Sequence, residues 1–427
     1  MSTPLYSALL RHRELNRASF HTPGHKNNPS ALPPDLLSLD FTELPDTDSL
    51  FEANGPILEA ERLASNLFGA SRTCISAGGC TLCIQAMLRL AAPNGGAVVC
   101  SRVVHRSAVN TMALLDLQPV WAMPGELVSV VRSHPEAQAV YVTSPNYYGE
   151  LLDIPAIAQA CGERGIPLLV DNAHGAHLMF TEPVLHPLAL GASMTACSAH
   201  KTMNVLTGGA WLNIADQRFA GGAKDAMALF GSTSPNYAVM ASLDLARAWL
   251  ETHKGEYGRL QKRVAELKEV AKAHGIAPLP GLTDPTRITL NTGSIGIPGT
   301  SAAEIFRGAG VEPEYADAAH VVLIATPFNT EADFARLADA IDILPVRSSL
   351  PARQGPPPLP PVKTSLRTAV FAPAQTVSLD SAVGRIAAEA ACPCPPGVPV
   401  VMPGEEVTKE AAEFLRGYGF FSLKVLK

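Results

Sequence analysis

Between residues 97 and 214, short apolar runs alternate with stretches of helical character, and none of the runs alternates cleanly with polar residues. A strand with one wet face reads apolar, polar, apolar; a run without that alternation is covered on both faces. The runs at 97–100, 120–122, 139–143, 167–171, 194–197 and 210–214 therefore predict a buried, mostly parallel sheet. Helices are expected between them over 81–90, 107–115 and 154–163. A helix is also expected over 57–68, where Leu58, Leu63 and Leu67 recur near helical spacing and Gly69 stops it. The chain reads as α/β. In such sheets ligands gather at the carboxyl ends of the strands.

Two segments fall at such ends. Asp171 closes the apolar run that begins at Ile166, and Lys201 follows in Ser198-Ala199-His200-Lys201-Thr202. A lysine after a Ser-x-His turn can form an imine with an aldehyde cofactor, and a strand-end aspartate can keep a pyridine nitrogen protonated. Pyridoxal phosphate needs both, the lysine for attachment and the anion to keep the ring an electron sink. Gly78-Gly79-Cys80-Thr81, at the start of a predicted helix, offers Gly79, Cys80 and Thr81 backbone N–H groups for a phosphate.

With 427 residues, 47% of them hydrophobic and 17% charged, the chain has length for two or three domains. A formal charge of −6 without a long basic run argues against nucleic acid as the main ligand. The N-terminus carries charge too early for a signal peptide, and no apolar run approaches the roughly 20 residues of a membrane helix. Eight scattered cysteines suit reduced thiols in a cytoplasmic enzyme. The Cys80/Cys83 pair reads better as part of the phosphate loop than as half of a zinc site, and no metal is expected.

The division expected is an N-terminal arm and loop (1–55), a large domain with a linking helix (56–275), a small α/β domain (276–350), a proline-rich linker (351–364) and a C-terminal unit (365–427). One long amphipathic helical region is expected from Pro235 to about His274. The small domain is expected to run strand 287–290, helix 302–308, strand 321–325, helix 331–341.

Eight segments in this order resemble the pyridoxal-phosphate-dependent ornithine/lysine/arginine decarboxylases of fold type I, in their short single-chain bacterial form. They are FHTPGHK (20–26), SPNYYG (144–149), DNAHGAH (171–177), SAHKT (198–202), TSPNY (233–237), VEPEYAD (311–317), GRIAAE (384–389) and PPGVPVVMPGE (395–405). The resemblance implies an aspartate aminotransferase-like large domain with a mostly parallel sheet, a smaller α/β C-terminal region, and α-decarboxylation of lysine, ornithine or arginine. It implies that Lys201 holds the cofactor, Asp171 pairs with its ring nitrogen, His105 stacks on one ring face and Ala173 supports the other. His174 would lie near the cofactor oxygen. Ser198 and His200 would help bind phosphate, with His200 able to donate a proton. Thr233 and Ser234 match a segment that reaches the phosphate of a neighbouring subunit, which implies a homodimer at least. For the substrate, His25, Glu314, Asp317, Arg367 and Glu405 are candidates; Arg367 could instead brace the C-terminal unit.

The chain departs from the family pattern at Asn172, where glutamate is usual, at Cys80 in the phosphate loop, and at Cys394 before the late Pro-Pro-Gly. Two alternatives therefore stand beside decarboxylation: another fold-type-I reaction, such as transamination or elimination, and a weakly catalytic cofactor-binding regulatory protein.

Overall fold

A computed structural model describes residues 17–20, 24, 26, 28, 30, 43, 47–351, 355, 357–392 and 398–427. The first strand among the described residues, β1 (Ala18–Phe20), pairs in parallel with β10 (Val311–Pro313), so this part of the N-terminal region lies against the small domain.

Seven strands form the central sheet: β2 (Arg72–Ser76), β3 (Gly96–Ser101), β4 (Leu117–Ala122), β5 (Ala139–Thr143), β6 (Leu168–Asp171), β7 (Met194–Cys197) and β8 (Ala210–Ile214). Their order is β2-β8-β7-β6-β5-β3-β4, and only β8 runs against its neighbours. All six expected strands are present. β2 was not anticipated: its sequence, RTCIS, opens on polar residues, and it lies at the sheet edge against β8. Every residue of β6, β7 and β8 is buried, which is why these strands show no polar alternation.

Helices Gly79–Ala91 and Arg106–Leu114 cover one face through Leu82, Ile84, Met87, Val109 and Met112. Helices Leu127–Ser133 and Ile154–Arg164 cover the other through Leu127, Val131, Ile154 and Ile157. Burying such a side chain is worth about 1.5–3 kcal/mol, so the two apolar layers hold the sheet and fix the ends of its strands.

The long linking region is two helices, Tyr237–Thr252 and Gly255–Ala273. The first ends where His253 leaves helical geometry, its ring stacked on Trp249 with centroids 4.7 Å apart. Leu243, Leu250, Leu260, Val264 and Leu267 from both helices share one apolar cluster with Ile288, Phe306, Leu323 and Leu337 of the small domain. That domain contains β9 (Arg287–Leu290), β11 (Tyr315–Ala316) and β12 (Val321–Ile324) in the order β11-β12-β9, with helices Gly299–Gly308 and Glu331–Asp342. In the C-terminal unit β13 (Ala374–Ser378) pairs antiparallel with β14 (Ser422–Leu426). The end of the proline-rich stretch is tied down: Lys363 N–H donates to Gly404 O at 2.8 Å, and Val362 bridges Glu405.

Candidate active site

The carboxyl ends of β3, β5, β6 and β7 open on a cavity of about 260 Å³. Ten of the residues singled out from sequence line it: Gly79, Cys80, Thr81, His105, Asp171, Ala173, His174, Ser198, His200 and Lys201. They come from stretches of chain up to 122 positions apart (79 to 201), and parallel strand order is what gathers them.

At one end lies the start of helix Gly79–Ala91. Gly79 N–H is not available to a ligand, because it donates to Gly208 O at 2.9 Å. That corrects the expectation for this residue. The first-turn N–H groups of Cys80 and Thr81 have no intrahelical acceptor and remain for an anion. The Cys80 thiol points the other way, 3.9 Å from Asp171 Oδ1, so its contribution toward an anion is its backbone alone.

Asp171 is almost fully buried and richly supplied with donors. Ala173 N–H reaches Oδ1 at 3.1 Å, and the Tyr141 hydroxyl reaches Oδ2 at 3.1 Å. Burial, and then the Asp171 charge, push the Tyr141 phenol well above its ordinary value, so Tyr141 stays protonated and keeps donating. Sequence reasoning did not identify Tyr141. The available signal was a tyrosine inside an apolar strand, where a buried hydroxyl needs a partner. Asn172 faces away: its amide donates to Cys197 Sγ at 3.3 Å, beneath the sheet edge.

Three histidines and one lysine define the proton chemistry. His105 caps helix Arg106–Leu114, its Nδ1 accepting from Ser107 N–H at 3.2 Å. Its neutral ring therefore carries the proton on Nε2. His200 Nδ1 lies 3.2 Å from Gly209 O, which can only accept, so its neutral ring carries the proton on Nδ1. His174 Nε2 is 2.9 Å from Lys201 Nζ, and Arg287 Nη2 is 3.4 Å from His174 Nδ1. Burial is the largest force on all four groups. It lowers the imidazoles of His105, His174 and His200 and the Lys201 ammonium, with His174 well below its usual range. A lysine held below its usual range has more of the free amine that acts as nucleophile.

The acidic candidates separate. Glu314 accepts from the Tyr147 hydroxyl at 2.6 Å, and its charge acts on both Lys201 and Lys26. Asp317 lines a larger groove that adjoins the cavity, but its carboxylate is already engaged, by Ala319 and His320 N–H of its own loop at 2.7 Å and by the Tyr148 hydroxyl of a distant segment at 2.8 Å. Glu405 is not at the cavity. It is 2% exposed and forms a two-pronged pair with Arg102 at 2.6 and 2.7 Å. Arg367 donates to Ala113 O and Leu114 O, so it braces the C-terminal unit against helix Arg106–Leu114. His25 lies outside the described residues, as do His21 and Cys394. From the same N-terminal loop, Gly24 N–H donates to His200 O at 2.6 Å, and burial lowers the Lys26 ammonium to about 7. A Cβ on Gly24 would lie 2.3 Å from Met203 O, so only glycine lets the loop sit on the lysine helix. Thr233 and Ser234 are exposed and do not line this chain's cavity. Among the described residues no cluster of metal-ligating side chains occurs, and no helix is long and apolar enough to cross a membrane.

Solved structures with a similar fold include the constitutive lysine decarboxylase of Escherichia coli, with a TM-score of 0.75 over 100% of this chain and 82% of that one at 19% identity. An uncharacterised Bacillus subtilis protein, YaaO, is 31% identical over 97% of this chain and 94% of its own length. An arginine decarboxylase of Halalkalibacterium halodurans is 28% identical over 97% and 93%. Residues 3–276 match the Orn/Lys/Arg decarboxylase major domain and residues 358–422 the matching C-terminal domain. The two matches together span most of the sequence, and with the 31% identity to YaaO over nearly its whole length they place it: the chain belongs to the Orn/Lys/Arg decarboxylase family.

Proposed function

We propose that the chain uses pyridoxal phosphate to remove the α-carboxylate of a basic amino acid as CO₂ and release the amine. One observation carries this reading: the Lys201 amine, the Asp171 carboxylate and the His105 ring line a single cavity of about 260 Å³. The residues fit the cofactor. Cys80 and Thr81 N–H suit its phosphate, Asp171 its ring nitrogen, and His105 and the small Ala173 its two faces. When bound, the cofactor supplies an aldehyde carbon and a cationic ring that accepts the electron pair left by the carboxylate.

The chain's own residues supply the rest. Tyr141 and Ala173 N–H both donate to the Asp171 carboxylate and fix its orientation toward the cavity. Lys201 offers a free amine because burial disfavours its charge. His174 Nε2 lies 2.9 Å from Lys201 Nζ, whereas the proton of neutral His200 is turned to Gly209 O. Neutral His200 therefore has a lone pair rather than a proton on Nε2, and His174 is the imidazole within hydrogen-bond reach of Lys201. Glu314, fixed by Tyr147, provides negative charge for the distal cation of the substrate.

The active unit we propose is a homodimer in which exposed Thr233 and Ser234 complete the neighbour's phosphate site. The direct test offers lysine, ornithine and arginine to the purified protein with pyridoxal phosphate and measures amine and CO₂. Formation of keto acid without CO₂, or no turnover on all three, overturns the reading.

A further inference from the structure

We propose that Arg287 is a positioning residue that fixes His174 with its proton on Nε2, aimed at the Lys201 amine. This rests on the proposed role of Lys201 and adds a residue from the small domain to the site. A guanidinium has five N–H donors and no acceptor. The Nη2 nitrogen has two hydrogens, and two acceptors lie 3.4 Å away: His174 Nδ1 and His174 O. His174 Nδ1 must then accept. A neutral imidazole that accepts at one nitrogen carries its proton on the other, and that nitrogen is 2.9 Å from Lys201 Nζ. The direction of the chain, Arg287 to His174 to Lys201, follows from donor chemistry alone.

Arg287 is built to stay where it is. It is 3% exposed, and its other terminal nitrogen donates to Tyr147 O at 3.3 Å. Behind it the fully buried Asp284 accepts from Thr286 N–H and Oγ1, each at 2.8 Å, and its charge acts on the guanidinium. The stem of Arg287 passes Gly149, where a Cβ would lie 2.6 Å from Arg287 Cγ, with Gly149 at φ +90°. The glycine that ends the SPNYYG segment thus makes room for this arginine. The Tyr147 ring closes on His174 edge-on, with centroids 4.9 Å apart.

The other ionisable groups acting on Lys201 are Cys80, Asp171 and Glu314. Those acting on His174 are His105 and His200. Lys26 faces Arg287 and Glu314. Arg287 donates to His174 Nδ1, and its positive charge also helps hold Lys201 neutral.

Nitrogen-15 NMR of the full-length protein labelled at histidine, without cofactor, reads the tautomer directly, with His174→Gln identifying the signal. The wild type should show a neutral His174 ring protonated on Nε2; a proton on Nδ1 in the wild type overturns the proposal without any Arg287 variant. Arg287→Met keeps the stem beside Gly149 and removes the donors, and the fixed Nε2–H pattern should be lost. Acylation of Lys201 by acetic anhydride, followed by mass spectrometry across pH, reads the second half of the chain. In Arg287→Met the labelling midpoint should move up, with less free amine at a fixed pH, because a cation near Lys201 is removed. A folded Arg287→Met protein with an unchanged tautomer or an unchanged midpoint refutes the proposal. Neither measurement involves substrate, so both stand apart from whether the enzyme decarboxylates basic amino acids.

Discussion

Replacing Glu405 by glutamine tests whether the carboxylate belongs to the scaffold or to the substrate. Glu405 and Arg102 are 2% and 0% exposed at their side chains, and the carboxylate accepts three hydrogen bonds: two from Arg102 and one from Met402 N–H at 2.8 Å. Arg102 also donates to Pro399 O at 2.8 Å and Val400 O at 3.1 Å, so the guanidinium is enclosed by the C-terminal unit. A glutamine there turns an amide N–H₂ toward either Arg102 or Met402 N–H and leaves a buried charge without its counter-ion. Breaking a buried pair in this way costs about 3–5 kcal/mol, a large part of the roughly 5–15 kcal/mol that holds a domain folded. At about 1–3 kcal/mol per molar urea, the transition that includes the C-terminal unit should move down by at least about 1 M. Replacing both residues together, as Arg102→Met with Glu405→Met, should cost less than the two single changes added, because no lone charge is left behind. Arg102 follows β3 and lies three positions before His105, so loosening this anchor should also weaken activity through His105. Urea unfolding by circular dichroism, with proteolysis to monitor the C-terminal unit, decides the matter. A loss under about 1 kcal/mol combined with a raised KM for the amino acid would refute the structural reading and return Glu405 to substrate binding.

Borohydride treatment of the cofactor-loaded protein should fix label to Lys201; label on another lysine, read by peptide mapping, removes it from its role. Asp171→Asn should retain the cofactor by absorbance yet lower kcat by about a hundredfold or more, near 3 kcal/mol of transition-state stabilisation. Near-normal kcat in that variant contradicts the pairing with the ring nitrogen. Mixing inactive Lys201→Ala and inactive Ser234→Ala chains should restore activity in exchanged dimers, and its absence after verified exchange means that Ser234 serves its own chain. For Asp317, burial alone would raise the carboxyl, but hydrogen bonds from His320, Ala319 and Tyr148 outweigh it and bring the value from 3.8 to about 2. Its contribution is therefore present above pH 4 and lost as pH falls toward 2. Asp317→Asn should flatten the acid side of the stability curve in that window, and an unchanged curve by thermal melting at pH 2–5 refutes the assignment.

The sheet was legible because burial on both faces writes itself into each strand as an apolar run. The same code missed β2, an edge strand opening on Arg72 and Thr73, and it joined two helices that part at His253. Lys201, Asp171 and His105 were legible because their chemistry is carried by the residue and its immediate neighbours. What each side chain faces is another matter, since it depends on segments far away in sequence. Glu405 read as a charge available to a substrate, and Arg367 as either that or a brace, until Arg102, 303 positions from Glu405, and the carbonyls of Ala113 and Leu114 took them up. Gly79 read as a phosphate donor, yet Gly208 O takes its N–H. Tyr141 and Arg287 lie in stretches with no motif of their own. Cross-strand register sets Tyr141 opposite Leu169, two positions before Asp171 and on the same face, so its hydroxyl reaches that carboxylate, and the packing of the small domain brings Arg287 to His174. Sequence determined the sheet and the reactive groups at its edge, because burial and side-chain chemistry are local properties. Tertiary structure alone decided the partners of those groups, because a buried donor or charge takes the nearest acceptor in space, wherever in the chain it arises.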